Sequence, residues 1–226
     1  MTHGSLAMAI LLTALHVATA SAQSSVAVPG RLELGGGILW LGGQSLGTRD
    51  ADLTTGTGST LRLFSSTSDL LAAAGVEGRV AVKLTRALEA HASISYAKPQ
   101  LRTRVSNDTE NSAGATASES IQQYIVGGGA LWYLPSNSSS SRLRPFVAVG
   151  AAYLRQLHEG ATLVSTGQSY DVGGGVKLLT ASRTRKRMKT VGVRLDARVV
   201  VRTKGIAFDG RRSVAPAAAA SLFVRF

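Results

Sequence analysis

"TVGVRLDARVVVRTK", residues 190–204, decides the fold. Val191, Val193, Leu195, Ala197, Val199 and Val201 fall on one face at period two. Gly192, Arg194, Asp196, Arg198 and Arg202 fall on the other. A helix would scatter these residues around its circumference, whereas a strand separates them cleanly.

The same alternation runs through the chain. "RLELGGGILWL" sets Leu32, Leu34, Ile38 and Trp40 against Arg31 and Glu33. "GVEGRVAVKL" sets Val76, Val80, Val82 and Leu84 against Glu77, Arg79 and Lys83. "LEAHASISYA" sets Leu88, Ala90, Ala92, Ile94 and Tyr96 against Glu89, His91, Ser93 and Ser95. "YDVGGGVKL" sets Tyr170, Val172, Val176 and Leu178 against Asp171 and Lys177. "QQYIVGGGALWYL" and "PFVAVGAAYL" are apolar on both faces. With the tail "AAAASLFVRF", about eight strands are predicted. Connections are predicted at about 47–69, 85–87, 103–119, 135–143, 157–168, 180–190 and 204–212. "SDLLAAAG", from Ser68, reads as a helical turn leading into a strand.

Composition fits one domain of ordinary size. The chain has 226 residues, 44% hydrophobic but only 5% aromatic, with 25 glycines and mean hydropathy +0.13. Small residues suit a tightly curved sheet better than a large aromatic core. With no cysteine there is no disulfide, thiolate metal site or Cys nucleophile. No metal-ligand spacing or cofactor motif stands out, so neither group is expected. The net charge of +12 points to an anionic membrane surface or nucleic acid.

Residues 1–22 read as a cleaved signal peptide, leaving 23–226 as one domain. An apolar run from Leu6 to about Val17 precedes Ala20-Ser21-Ala22, a small-x-small site with cleavage expected after Ala22. The run is shorter than the roughly 20 residues a spanning helix needs. Export weighs against nucleic acid, as does the lack of aromatics interleaved with the basic residues.

Period-two strands with export fit two solvents. A soluble barrel carrying an apolar ligand would turn the valine face inward; a membrane barrel would turn it outward. The scarcity of bulky rings on the apolar faces favours lipid, which fills any gap. So do the opposite charges that share one face, and the aromatics near strand ends: Trp40, Tyr96, Trp132, Tyr133, Tyr153, Tyr170 and Phe226. Arg194 and Arg198 turned to lipid would cost on the order of 4–8 kcal/mol at roughly 2–4 each. That is comparable with a whole domain's stability, about 5–15 kcal/mol. The expectation is therefore all-β: an eight-stranded antiparallel up-and-down transmembrane β-barrel. Glu77, Arg79, Lys83, Lys177, Arg194, Asp196 and Arg198 form its expected interior charge network.

The tail "SLFVRF" resembles the C-terminal targeting signal of bacterial outer-membrane barrels, with Leu222, Val224 and Phe226 in the alternating places. "RPFVAVGAAYL", "YDVGGGVKL" and "VGVRLDARVV" resemble the second half of the outer-membrane beta-barrel domain family. The likeness is strongest from Arg144 onward. It implies a small eight-stranded barrel in the outer membrane, no shared catalytic residues, and assembly machinery that reads the last strand. An open, porin-like channel is not expected, because side chains fill a bore of eight strands. The basic run Arg183, Arg185, Lys186, Arg187 and Lys189 departs from the family's tight turn, and anionic headgroups are its expected partner. A monomer in outer-membrane lipid is expected.

Two motifs suggest chemistry. Gly35–Gly37, Gly127–Gly129 and Gly173–Gly175 read as curvature devices, since no GxxxxGK[ST] pattern or helix follows them. Glu89, His91 and Ser93 share one strand face, and His-x-Ser with a carboxylate suits acyl transfer. That trio resembles the site of lipid A deacylases, which are also eight-stranded barrels, though Ile94 stands where their pattern has Asn. A packed polar interior is the expected use of these residues.

Overall fold

The computed structural model describes residues 31–106, 114–135, 142–158, 163–182, 190–204 and 212–226. The predicted leader and the basic run 183–189 lie outside them.

Among the described residues twelve strands form: β1 (Leu32–Leu41), β2 (Gln44–Thr54), β3 (Thr60–Leu70), β4 (Ala73–Lys83), β5 (Leu88–Ala97), β6 (Gln100–Ser106), β7 (Thr116–Ser120), β8 (Gln122–Tyr133), β9 (Leu143–Leu157), β10 (Val164–Ser182), β11 (Thr190–Lys204) and β12 (Ser213–Arg225). Eight of them close a barrel in the order β1-β12-β11-β10-β9-β8-β5-β4. Every pairing is antiparallel, and β1 against β12 closes the seam, Glu33 facing Arg225 and Leu41 facing Ala217. Closure leaves this sheet no free edge, which is what a bilayer demands of a spanning sheet.

The other four strands correct the expected loops. Residues 47–69 and 103–119 were expected as connections; most of the described ones are strands, in a second sheet of order β2-β3-β6-β7. β2, β3, β6 and β7 prolong β1, β4, β5 and β8, which are neighbours in the barrel. Half of the barrel wall thus continues past the other half. The register shifts between Ser45 and Gly47 and between Ala51 and Asp52. Each shift flips the facing of the residues beyond it, so no single alternation survives to be read. The β2–β3 turn closes at Gly58, whose φ of 83° explains the glycine. The expected helical turn at Ser68 is strand, and β10 begins at Val164, inside the connection expected at 157–168.

The glycine triplets fit the barrel's curvature. A Cβ on Gly37 would sit well inside contact distance of the Ala220 carbonyl oxygen and of Ser221 on β12. One on Gly36, facing out, would meet nothing nearer than 3.6 Å. Gly37→Ala is therefore expected to abolish refolding into detergent, read by heat-modifiable gel mobility, while Gly36→Ala folds. Equal folding of the two would show that the seam is looser than drawn.

Candidate functional site

The described chemistry is concentrated inside the barrel. At the end that holds the termini, Lys177 on β10 reaches across the bore. Its Nζ donates to Glu33 Oε1 on β1 at 2.6 Å and to Glu89 Oε1 on β5 at 2.7 Å. Arg225 on β12 donates to Glu33 Oε2 at 2.6 Å and lies 3.5 Å from Glu89. Tyr133 donates its hydroxyl to Glu89 Oε2 at 2.6 Å. The Lys177 ammonium stands 5.1 Å from the Phe223 ring centroid, and the side chain has no solvent exposure. Two carboxylates and two cations thus tie together four strands around the bore, with Tyr133 adding a fifth.

A second knot joins β4 to β11. Arg198 donates to Asp196 Oδ1 at 2.6 Å and to Glu77 Oε2 at 2.8 Å. Arg194 donates to Asp196 Oδ2 at 2.7 Å while its guanidinium covers Phe146 at 4.5 Å. Arg79 pairs with Glu77 and approaches Asp196 at 3.8 Å. Lys83 stands apart from both knots, half-buried near the termini, with its backbone N–H bonded to Arg31.

The interior is not polar throughout, which corrects the sequence expectation. Leu39, Leu41, Ala97, Val200, Ala217 and Ala219 pack together inside the barrel beyond the knots. Beyond these, Leu46, Leu70, Leu101 and Ile121 close the junction with the second sheet. Only the alternation fault in "ILWL" and "RVVVR" hinted at this: Leu39 and Val200 occupy the charged parity.

Glu89, His91 and Ser93 all face inward, but they do not assemble a relay. Glu89 is engaged by Lys177 and Tyr133, and the buried Nδ1 of His91 has no hydrogen-bond partner among the described residues. His91 and Ser93 line a cavity of about 40 Å³ with Ser95, Ser169 and Asp171. That space holds a few waters at most and admits no acyl chain. Among the described residues there is no cluster able to hold a metal ion.

The outer face is apolar. Ile38, Val76, Val126, Val149, Val172, Leu195 and Leu222 are all exposed there. The stretch Val191–Val201, at about 3.3 Å per residue and a tilt of about 40°, rises about 25 Å, the height of a membrane barrel's apolar band. At the far end of this band Trp40, Tyr96, Tyr124, Tyr153 and Tyr170 stand on five different strands, Tyr96 and Tyr124 with ring centroids 5.0 Å apart. Lys98 and Arg155 follow two residues beyond Tyr96 and Tyr153, and Arg212 stands at the same end just before β12; all three are exposed. Trp132 marks the terminus end. Tyr133, expected in this girdle, points inward instead; its parity is opposite to that of Trp132. The tail forms the closing strand: Leu222, Val224 and Phe226 share the outer parity, Arg225 points inward, and the Phe226 N–H bonds the Leu32 carbonyl at 2.8 Å.

Closed, antiparallel, eight-stranded, apolar outside and charged inside, the chain has the architecture of the small outer-membrane β-barrels. No family model and no curated protein matches it. Among solved structures it is similar to Neisserial surface protein A, with 13% identity, TM-score 0.49, and coverage of 86% of this chain and 97% of that one. It is also similar to OprG from Pseudomonas aeruginosa, with 11% identity, TM-score 0.46, and coverage of 88% and 96%. A third is Ail, the attachment invasion locus protein of Yersinia pestis, with 11% identity, TM-score 0.36, and coverage of 88% and 100%. The class rests on the barrel's own closure and faces.

Proposed function

We propose that the chain is a monomeric outer-membrane barrel with a closed bore, which holds the far-end sheet at the cell surface as an interaction platform and performs no catalysis. The observation that carries the reading is Lys177, fully enclosed and bridging Glu33 and Glu89 from across the bore. A passing ion would have to break those contacts, and leaving a buried charge without its partner costs several kcal/mol. The far-end sheet supports the platform role: it extends well past the aromatic ring and exposes Leu53, Leu61 and Phe64 near its tip. The outer face of β12, with Leu222, Val224 and Phe226, is the segment we assign to the assembly machinery. Cleavage after Ala22 is part of the same reading.

Purified protein in planar bilayers is expected to give no stable ohmic conductance. Sustained open-channel current would overturn the closed bore. Catalysis through His91 and Ser93 is tested by comparing lipid A mass spectra of wild type, Ser93→Ala and a deletion; identical spectra are expected.

A further inference from the structure

We propose that the terminus-end rim is a binding surface for anionic phospholipid, with Arg31, Arg86 and Arg142 taking the headgroup phosphates. This rests on the reading of the outer belt as membrane-spanning.

The first support is the distribution of charge around the fold. Among the described residues, those that lie between strands at the terminus end, 31, 84–87, 134–135 and 142, carry three arginines and no Asp or Glu. The described residues at the far end, 42–72, 98–106, 114–121 and 212, carry six basic and four acidic residues. Lys98, Arg155 and Arg212 therefore share their end with exposed carboxylates, whereas at the terminus end Glu33 and Glu89 are enclosed in the bore and held by Lys177 and Arg225. Among the described residues no carboxylate lies within ion-pair distance of Arg31, Arg86 or Arg142, and all three are exposed.

The second support is depth. Arg31 adjoins Leu32, Arg142 adjoins Leu143, and Arg86 lies two residues past Leu84; each of these leucines is exposed on the outer face or at its edge. The three arginines thus lie within one or two residues of the last apolar side chains, at the edge of the belt where headgroups begin. The third support is continuity. Arg31 accepts the Lys83 N–H at its carbonyl, Tyr133 N–H bonds Ala87, and Leu134 N–H bonds Pro145. These bonds place the three arginines along one arc of the rim, from β1 through the β4–β5 turn to β9. Trp132 stands between them, 55% exposed, opposite Leu88 and Val147. A cationic arc above which leucine and tryptophan meet acyl chains has the two-part chemistry of an anionic lipid, a phosphate on a hydrocarbon tail.

The chain has two tryptophans, one at each rim, so each rim has its own reporter. Trp40→Phe leaves Trp132, and Trp132→Phe leaves Trp40. Each protein is reconstituted in phosphatidylcholine vesicles holding an equal share of dibrominated phosphatidylglycerol or dibrominated phosphatidylcholine. Trp132 is expected to be quenched roughly twofold more by the brominated phosphatidylglycerol. The excess should vanish at about 1 M salt, where screening acts within about 3 Å. It should also vanish in Arg31→Gln/Arg86→Gln/Arg142→Gln, while Trp40 shows none. Equal quenching of Trp132 by both lipids, or an excess that the triple variant keeps, overturns the proposal and leaves the barrel in the bilayer. Quenching by neither lipid overturns the proposal and the membrane reading together. If the triple variant does not fold, the salt series on the Trp40→Phe protein decides.

Discussion

Lys177→Met is expected to lower the unfolding free energy by about 3–5 kcal/mol, the cost of removing one partner of a buried ion pair. The substitution keeps most of the side-chain volume and the contact with Phe223, so the loss is electrostatic. Glu33 and Glu89 would keep Arg225 as a shared cation, at 2.6 and 3.5 Å, which leaves two buried carboxylates for one guanidinium. Adding Glu89→Gln restores the charge balance and retains an acceptor for Tyr133, so the double variant should recover at least half of the loss. The measurement is urea unfolding in vesicles, followed by heat-modifiable mobility. A change under about 0.5 kcal/mol would mean that water screens the bore. The same wet bore would conduct, so the stability and bilayer experiments must agree.

The sequence exposed the barrel through parity, and it failed where parity breaks. β11 shows both faces without interruption over Val191–Val199, and its charged residues are the ones the structure turns inward. β2 and β3 contain two register shifts and mostly Ser, Thr, Asp and Gly, so their few large apolar residues, Leu46, Leu53, Leu61, Leu63, Phe64 and Leu70, fall on no single alternating face that advertises a strand. Pairing across the sheet, which sequence does not display, holds them extended. The interior was legible one strand at a time. Glu77, Arg79, Arg194, Asp196 and Arg198 stand out because opposite charges repeat on one face. Glu33 and Arg225 each sit alone among apolar neighbours, and their meeting depends on the closure of β1 on β12. The parity of Arg225, opposite to that of Val224 and Phe226, was the available signal. Tyr133 looked like an interfacial aromatic because Trp132 precedes it, yet adjacent residues on a strand face opposite ways.

Leu195→Arg is expected to destabilise the folded barrel by about 2–4 kcal/mol, and Val201→Arg by about 0–1. Leu195 lies at mid-belt on β11, 49% exposed and paired with Val176 and Ala220; Val201 shares its face near the rim beside Tyr170. On a water-soluble barrel both positions would be ordinary surface, and arginine at either would change stability within about 0.5 kcal/mol. In a bilayer the cost follows depth, because an arginine near the rim can reach the headgroups while one at the centre must draw water and phosphate inward. The pair therefore separates the two solvents without any functional assay. Unfolding in vesicles at matched lipid composition gives the difference directly. A large cost at Leu195 with little at Val201 places the valine face in hydrocarbon. Two small and equal costs would turn the barrel out of the membrane, and the interior charges would then need another reason to be enclosed.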